Sequence, residues 1–198
     1  QVRRGDPVVL KAAEFITQLR ADTARLESLV SLRAGFESVR QAVQTSGSVR
    51  DDVVVGFATS MEKVLPRAGA PDLRPSVRAS LALARNEKEA LQVIVMPVEG
   101  AARQVQVRVR DLRGPGGAIF SSDDIAVALM GYVETKSVPP YGSSHVGWWP
   151  DPILGFMSKT DIAEGDAQSF WMRFNAPKSQ APGMYRGTLE VLVEGRPL

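Results

Sequence analysis

The sequence predicts an α+β protein in which an N-terminal helical hairpin precedes an antiparallel β-sandwich of immunoglobulin-like or jelly-roll-like type. Apolar residues recur every three or four positions before residue 66 and every second position after residue 76. Three prolines and a glycine lie between the two patterns, at Pro66, Gly69, Pro71 and Pro75. We therefore place the hairpin at 1–66, a linker at 67–75 and the sandwich at 76–198.

The first helix is predicted from residue 7 to about residue 44. Asp6 can accept hydrogen bonds from the first helical amides, and Pro7 fixes a helical φ at the first position. Apolar or small residues then follow at alternating steps of three and four, as on one face of an amphipathic helix. They are Val9, Ala12, Ile16, Leu19, Thr23, Leu26 and Val30, and a second series shifted by one position comprises Leu29, Leu32, Phe36, Val39 and Val43.

A second helix is predicted at about 49–65. Ser48 and Asp51 resemble a capping arrangement, and Val54, Phe57, Met61 and Val64 continue at helical spacing. The apolar stripe of this hairpin is too narrow for a core of its own. We expect it to pack against the sandwich, against another domain or against a second copy of the chain, which makes a homo-oligomer through the helices one predicted assembly.

Alternation of apolar and polar residues predicts the strands of the sandwich. The expected strands cover 77–83, 91–95, 105–109, 125–133, 168–174 and 185–193. Segments rich in proline or glycine separate several of them, and Gly114-Pro115-Gly116-Gly117 is interpreted as a hairpin turn. No helical pattern lies between the strands, which favours an antiparallel sheet over a parallel one.

Composition excludes several classes of site. The chain has no cysteine, and its one histidine is His145, so disulfides, thiolate sites and histidine metal clusters are excluded or improbable. The 24 basic and 22 acidic residues are interspersed, which argues against nucleic-acid binding. No apolar run approaches the roughly 20 residues of a membrane span. We expect no metal and no cofactor.

The segment from Tyr141 to Pro152 is the most informative stretch of the sequence. It is rich in Pro, Gly and Ser and contains Tyr141, His145, Trp148, Trp149 and Asp151. We interpret it as a loop whose indoles are buried or meet a partner, because large exposed apolar groups mark interaction sites. Three interpretations stay open at this point: a tryptophan plugs the end of the sandwich, the loop contacts another domain, or the rings stack on a sugar.

A second polar segment, 85–89, joins two predicted strands. Asn86 tolerates left-handed backbone geometry, and the carboxylates of Glu87 and Glu89 can accept backbone or arginine hydrogen bonds. The acidic residues near 123 and 161–166 lack the spacing of a calcium loop and are interpreted as solvated loop ends. No acid/base or nucleophilic set can be assembled from the sequence, so no catalytic residue is assigned.

Six short segments, in order, resemble the N-terminal β-sandwich of proteins similar to the family 123 β-N-acetylgalactosaminidases and their bacterial relatives. They are ARNEKEALQVIV at 84–95, VRDL at 109–112, GYV at 131–133, GWWPDP at 147–152, FWM at 170–172 and APGMYRG at 181–187. In that family the sandwich precedes a (β/α)8 barrel that carries the acid/base pair. The resemblance therefore implies a non-catalytic accessory module and transfers no catalytic residue.

The resemblance also implies partners and a location. We expect a catalytic barrel beyond residue 198, with the Trp148–Pro152 segment and the Asn86–Glu89 turn facing it at the rim of its cleft. Asp151, Tyr141, Trp148 and Trp149 are then interface or glycan-contact candidates, as are Asn86, Glu87 and Glu89. Export to the periplasm, the surface or the medium of a bacterium is expected. The alternative is a carbohydrate-binding or self-assembling module of a bacterial surface protein.

Overall fold

The computed structural model describes residues 7–43, 52–66, 76–137 and 146–198, with helix side chains at 11–27, 29 and 30. One helix, α1, spans Pro7–Val43. The strands are β1 Val53–Thr59, β2 Lys88–Pro97, β3 Ala102–Val109, β4 Leu112–Arg113, β5 Ile119–Phe120, β6 Ile125–Thr135, β7 Gly147–Leu154, β8 Lys159–Ile162, β9 Gln168–Asn175, β10 Leu189–Val193 and β11 Arg196–Pro197.

The strands form two main antiparallel sheets. One has five strands in the order β1-β2-β9-β6-β7, and the other has four in the order β11-β10-β3-β8. A small hairpin of β4 and β5 completes the described strands. The predicted α+β class and antiparallel sheets are confirmed, and so is the first helix, whose observed end at Val43 is one residue from the predicted one.

The main core lies between the two sheets. Val93 on β2 and Phe170 on β9 are fully buried in the same cluster as Val105 on β3 and Val191 on β10. Period-2 alternation sends these side chains to one face of each strand. Burying each such side chain contributes about 1.5–3 kcal/mol, so this cluster is the main source of stability for the sandwich.

The second predicted helix, 49–65, is wrong. Residues Val53–Thr59 form β1, which pairs antiparallel with β2 so that Val55 faces Val95. The run Val53-Val54-Val55 is β-branched, which favours a strand over a helix. Side chains of β1 are buried on both faces of the sheet, so apolar and polar residues do not alternate along it. The apolar residues from Val54 to Val64 instead recur at helical spacing.

A return segment (residues 60–66) follows β1 and covers the outer face of the five-stranded sheet. Gln92 on β2, 1% exposed, donates hydrogen bonds to the carbonyl oxygens of Thr59 (2.8 Å) and Glu62 (2.7 Å). Val64 packs into a second cluster with Ile94, and the half-buried Leu29 of α1 packs against that cluster. This cluster contains Val54, Ala58, Val64, Ile94, Met96 and Ala167. As a result, β2 is buried on both of its faces.

The predicted strand at 77–83 is wrong, and the last predicted strand is shorter than expected. Residues 77–84 form no strand, although Leu81 and Leu83 pack against the main core. Ser76 instead donates to the carbonyl of Val55 (3.2 Å), so the chain runs beside the free edge of β1. The last predicted strand begins at Leu189 rather than at residue 185. Among the described residues, no helix has the length and hydropathy that a membrane span requires.

The hairpin of β4 and β5 is held by the segment at 180–187. The turn between its strands, predicted from Gly114-Pro115-Gly116-Gly117, is confirmed, with positive φ at Gly116 and Gly117. Tyr185 packs edge-on against Phe120, with 6.1 Å between ring centroids, and its hydroxyl donates to the carbonyl of Ala181 (2.8 Å). The Tyr185 ring is so close to Gly114 that a Cβ there would lie 2.4 Å from it.

We therefore expect Gly114→Ala to destabilise the protein by about 1–3 kcal/mol, because the added methyl must displace the Tyr185 ring. Gly155→Ala is the matched control, since a Cβ at Gly155 meets nothing within 4 Å. Urea unfolding of both variants measures the difference. Equal stability of the two variants would contradict the close packing of the ring on Gly114.

Candidate functional site

The tryptophan segment is a strand rather than the predicted loop. Gly147–Leu154 forms β7, which pairs with β6 so that Trp149 faces Val133 and Trp148 faces Glu134. Among the described residues, β7 has a neighbouring strand on one side only. Pro150 and Pro152 fit this position. At a sheet edge, a proline nitrogen, which carries no hydrogen, can face away from the neighbouring strand, so no hydrogen bond between the strands is lost. These two prolines are the reason that the sequence pattern predicts a loop at this strand.

A bulge shapes the hairpin of β6 and β7. The register shifts between Met130 and Tyr132, where Gly131 lies opposite Asp151 and Pro152. A Cβ at Gly131 would lie 2.8 Å from the Pro152 ring, so the close approach requires glycine. Bulges increase local twist and redirect side chains. The distal half of the hairpin, which carries the tryptophans, starts at this bulge.

The distal half of β6 also leaves the β9 ladder, whose last register pair is Leu129 with Phe170. Side chains replace the missing backbone bonds. Gln168 donates through Nε2 to the carbonyl of Met130 (2.8 Å), and the hydroxyl of Tyr132 accepts from the amide of Ser169 (3.1 Å). Buried polar backbone groups therefore keep partners although the strands diverge.

Trp149 is held by contacts on both its polar and its apolar parts. Its Nε1 donates to Oγ1 of Thr135 (3.1 Å), which also accepts from the amide of Gly147 (3.2 Å). Nζ of Lys63, in the return segment, lies 4.7 Å from the centroid of the indole, a cation–π contact. Trp148 and Trp149 are both half-buried. Trp149 thus joins the return segment to β7, and Lys63 occupies one face of its ring.

Exposed apolar side chains lie along β7 and just beyond it. Ile153 is 49% exposed and Phe156 is 85% exposed. With Val133, Val146 and Met157, all exposed, they form what we call the β7 edge patch. Asp151 is exposed on the same strand. Exposed apolar groups that lie on one hairpin and the segments flanking it are typical of an interaction surface.

The other predicted site residues are not brought together with β7. Tyr141 and His145 lie outside the described residues. The turn at Asn86–Glu89 lies where β2 pairs with Asn175, whereas Trp148 pairs at the distal end of β6. At about 3.3 Å per residue, the two segments are about 30 Å apart along the sheet. The structure therefore separates the two segments that the sequence expectation placed at one rim.

The polar groups of the Asn86–Glu89 turn form hydrogen bonds with nearby backbone groups. Asn86 has φ of 62° and its amide donates to the carbonyl of Ala176 (2.9 Å). The carboxylate of Glu87 accepts from the amide of Ala84, and that of Glu89 accepts from the amide of Ala90 (3.2 Å). The predicted left-handed geometry and the predicted backbone hydrogen bonds are confirmed. These contacts stabilise the turn and give it no evident chemistry.

Among the described residues, two carboxyl groups have shifted pKa values, and hydrogen bonding is the main cause in both. The amide of Gln104 and the guanidinium of Arg103 donate to Asp161 and hold its pKa below the usual value. The amide of Ser122 does the same for the pKa of Asp111. In the described part of the chain, no group of three His, Cys, Asp or Glu residues could hold a metal ion.

Comparison with known families agrees with this architecture. Residues 72–193 match the sequence profile of the glycoside hydrolase 123 N-terminal domain. The chain belongs to this family. The matched range covers most of the predicted 76–198 sandwich, so the resemblance seen in the short segments is confirmed.

A solved structure shares the fold of this family 123 N-terminal domain. It is that of a family 123 glycoside hydrolase from Clostridium perfringens, described in a study of glycolipid glycan hydrolysis. The two chains are 18% identical with a TM-score of 0.50, and the likeness covers 55% of this chain. The match spans only 18% of the length of that hydrolase. No curated protein sequence matches the chain.

Sequence reasoning selected Trp148, Trp149 and Asp151 of the family 123 N-terminal domain but missed the rest of the β7 edge. Ile153 follows Pro152 directly, and Phe156 and Met157 come four and five positions after that proline; this largely apolar stretch was the available signal. Lys63 could not be found, because it reaches Trp149 only through the fold of the return segment.

The contacts of Thr135 give a prediction for this site. Thr135→Val keeps the shape of the side chain but leaves Nε1 of Trp149 without its acceptor, so we expect a loss of about 1–3 kcal/mol. Urea unfolding followed by tryptophan fluorescence measures it. Thr160→Val is the control on a half-buried position of β8, where the hydroxyl makes one 3.3 Å bond, to the carbonyl of Asp161. An equal effect of the two substitutions would contradict a specific role for Thr135.

Proposed function

We propose that this chain is the non-catalytic N-terminal accessory module of a family 123 glycoside hydrolase that acts on glycans, and that its catalytic domain packs along β7. The observation that carries the proposal is the exposed β7 edge patch on a strand with no outer neighbour among the described residues. Family membership supports the class of the whole protein. The module contributes position and stability to the neighbouring domain.

The chemistry of β7 favours side-chain packing over strand addition. Pro150 and Pro152 lack the amide hydrogens that a further strand would need as donors. Ile153 and Phe156 instead offer apolar surface. At about 25 cal/mol per Å² of buried apolar surface, covering these two side chains and Met157 contributes several kcal/mol before ordering costs are subtracted. A partner with a complementary apolar surface therefore fits this edge.

The described residues support an accessory role more than a catalytic one. The carboxylates of Asp161 and Asp111 accept hydrogen bonds from nearby amides, which favours their charged form. A general acid of glycoside hydrolysis needs the opposite, a raised pKa. By the resemblance, the acid/base pair belongs to the catalytic domain. The module orients that domain through β7.

Glycan binding by the sandwich itself is the competing function. A stacking platform needs an open ring face, and Lys63 covers one face of Trp149. Titration of the chain with amino-sugar oligosaccharides distinguishes the two. The accessory role predicts unchanged tryptophan fluorescence, whereas a saturable change would favour glycan binding.

The docking surface is tested in the full-length gene product with two matched isoleucines. Ile153 on β7 and Ile119 on β5 are each 49% exposed. We expect Ile153→Asp to weaken the contact with the catalytic domain, because it places a charge in an apolar interface. Ile119 lies outside the β7 edge patch, so Ile119→Asp should change the contact with the catalytic domain little.

Differential scanning calorimetry and hydrolase activity after heating provide the readouts. The Ile153 variant should unfold several degrees lower than the Ile119 variant, at about 2–4 °C per kcal/mol lost. In the isolated chain, both variants should match the wild type, since both side chains already face solvent. Indistinguishable full-length variants would contradict docking along β7.

A further inference from the structure

Helix α1 carries two apolar series on different faces, and among the described side chains it is a member of the second series, Leu29, that packs on the domain. Leu29 begins the second series and packs on the outer cluster of the sheet, and Arg25 reaches Gly165 beside it. At 100° per residue, these two positions lie about 100–140° around the axis from the centre of the first series. The described large apolar members of the first series, Ile16, Leu19, Leu26 and Val30, are all exposed.

The first series has the composition of a two-stranded parallel coiled coil. From Val9 to Val30 the steps are strictly three and four, which defines heptad positions a and d. The a positions hold β-branched residues, Val9, Ile16, Thr23 and Val30, and the d positions hold Ala12, Leu19 and Leu26. β-branched residues at a with leucine at d favour two parallel strands. Such a seam is complementary to a second copy of itself.

We propose that the chain forms a homodimer through a parallel coiled coil of the first apolar series of α1. The series is about 33 Å long at 1.5 Å per residue, and half of a cylinder about 10 Å wide over that length is about 500 Å². Two copies would bury about 1,000 Å² in total, which reaches the size of a specific interface. The occupant of this face is therefore a second copy.

Residues beside the seam differ in their contacts between a parallel and an antiparallel pair. Phe15 and Asp22 occupy position g, and Arg20 and Glu27 occupy position e. In a parallel pair, a residue at g of one helix meets the residue at e in the next heptad of the other helix. Phe15, 69% exposed, then meets the partner's Arg20, an aromatic–guanidinium contact. The same rule brings Asp22 opposite the partner's Glu27, a like-charge pair at the edge of the seam. An antiparallel pair brings Glu27 near the partner's Arg20 instead.

The Glu27→Lys variant distinguishes the parallel from the antiparallel dimer, because Glu27 has a different partner in each. In the parallel dimer it replaces two repulsive pairs by attractive Asp–Lys pairs, and we expect a dimer Kd about three- to tenfold lower at low salt. In an antiparallel dimer it would face an arginine and weaken association. Sedimentation equilibrium of the 198-residue chain over a range of concentrations measures Kd. A weaker dimer would overturn the parallel orientation.

The seam itself is tested by Leu19→Asp with Leu26→Asp, which we expect to give a monomer. Ala21→Asp with Ala24→Asp is the control, because it introduces the same two charges at positions outside a and d. Far-UV circular dichroism checks that the helix persists. A wild-type monomer at every concentration would overturn the proposal, as would a dimer that survives the leucine substitutions. If the leucine variant loses its helix, the change in dimer Kd of the Glu27→Lys variant still tests the proposal.

Discussion

The burial of β2 on both faces is the constraint on which the rest of the structure depends. One face supplies Val93 and Val95 to the core between the sheets, and the other supplies Ile94 and Met96 to the outer cluster. A buried outer face needs a cover, which the return segment provides. Gln92 fixes that cover through two hydrogen bonds from one buried amide, because an unpaired buried donor would be costly. The N-terminal part of the chain is attached to the sandwich through this face.

The two edges of the five-stranded sheet are treated differently. At β1, the amide of Ser76 donates to the carbonyl of Val55 along the edge, and α1 contacts the strand and packs on the outer cluster. At β7, two prolines remove amide donors and the bulge at Gly131 adds twist, so the edge cannot readily accept another strand. Such an edge resists aggregation while leaving apolar side chains available. This combination suits a surface that meets a defined neighbour.

The success of sequence reasoning depended on how clearly the pattern of each segment matched one type of element. β2, β3, β6 and β9 were predicted because their alternation or β-branched content is strong, and α1 because of Pro7 and its three-four spacing. β1 was missed because Val54, Phe57, Met61 and Val64 recur at helical spacing, which outweighed the β-branched run at 53–55. At the site, the tryptophans were visible in the sequence. Their supports, Thr135 and Lys63, were not, because they approach only through strand register and the return segment.

The proposed docking surface lies on β7, one edge strand of the five-stranded sheet, and α1 contacts β1, the other edge strand. The strand order of this sheet places β1, which α1 contacts, and β7 four strand spacings apart, or about 19 Å. Both surfaces can therefore be occupied at once, and the rigid sheet would set the distance between a helix seam and a catalytic domain. The return segment links these edges directly, since it begins at the end of β1 and carries Lys63 to the ring of Trp149. The outer cluster on which Leu29 of α1 packs contains Val64, and the adjacent Lys63 lies on the ring of Trp149, so α1 and β7 contact neighbouring parts of one short segment.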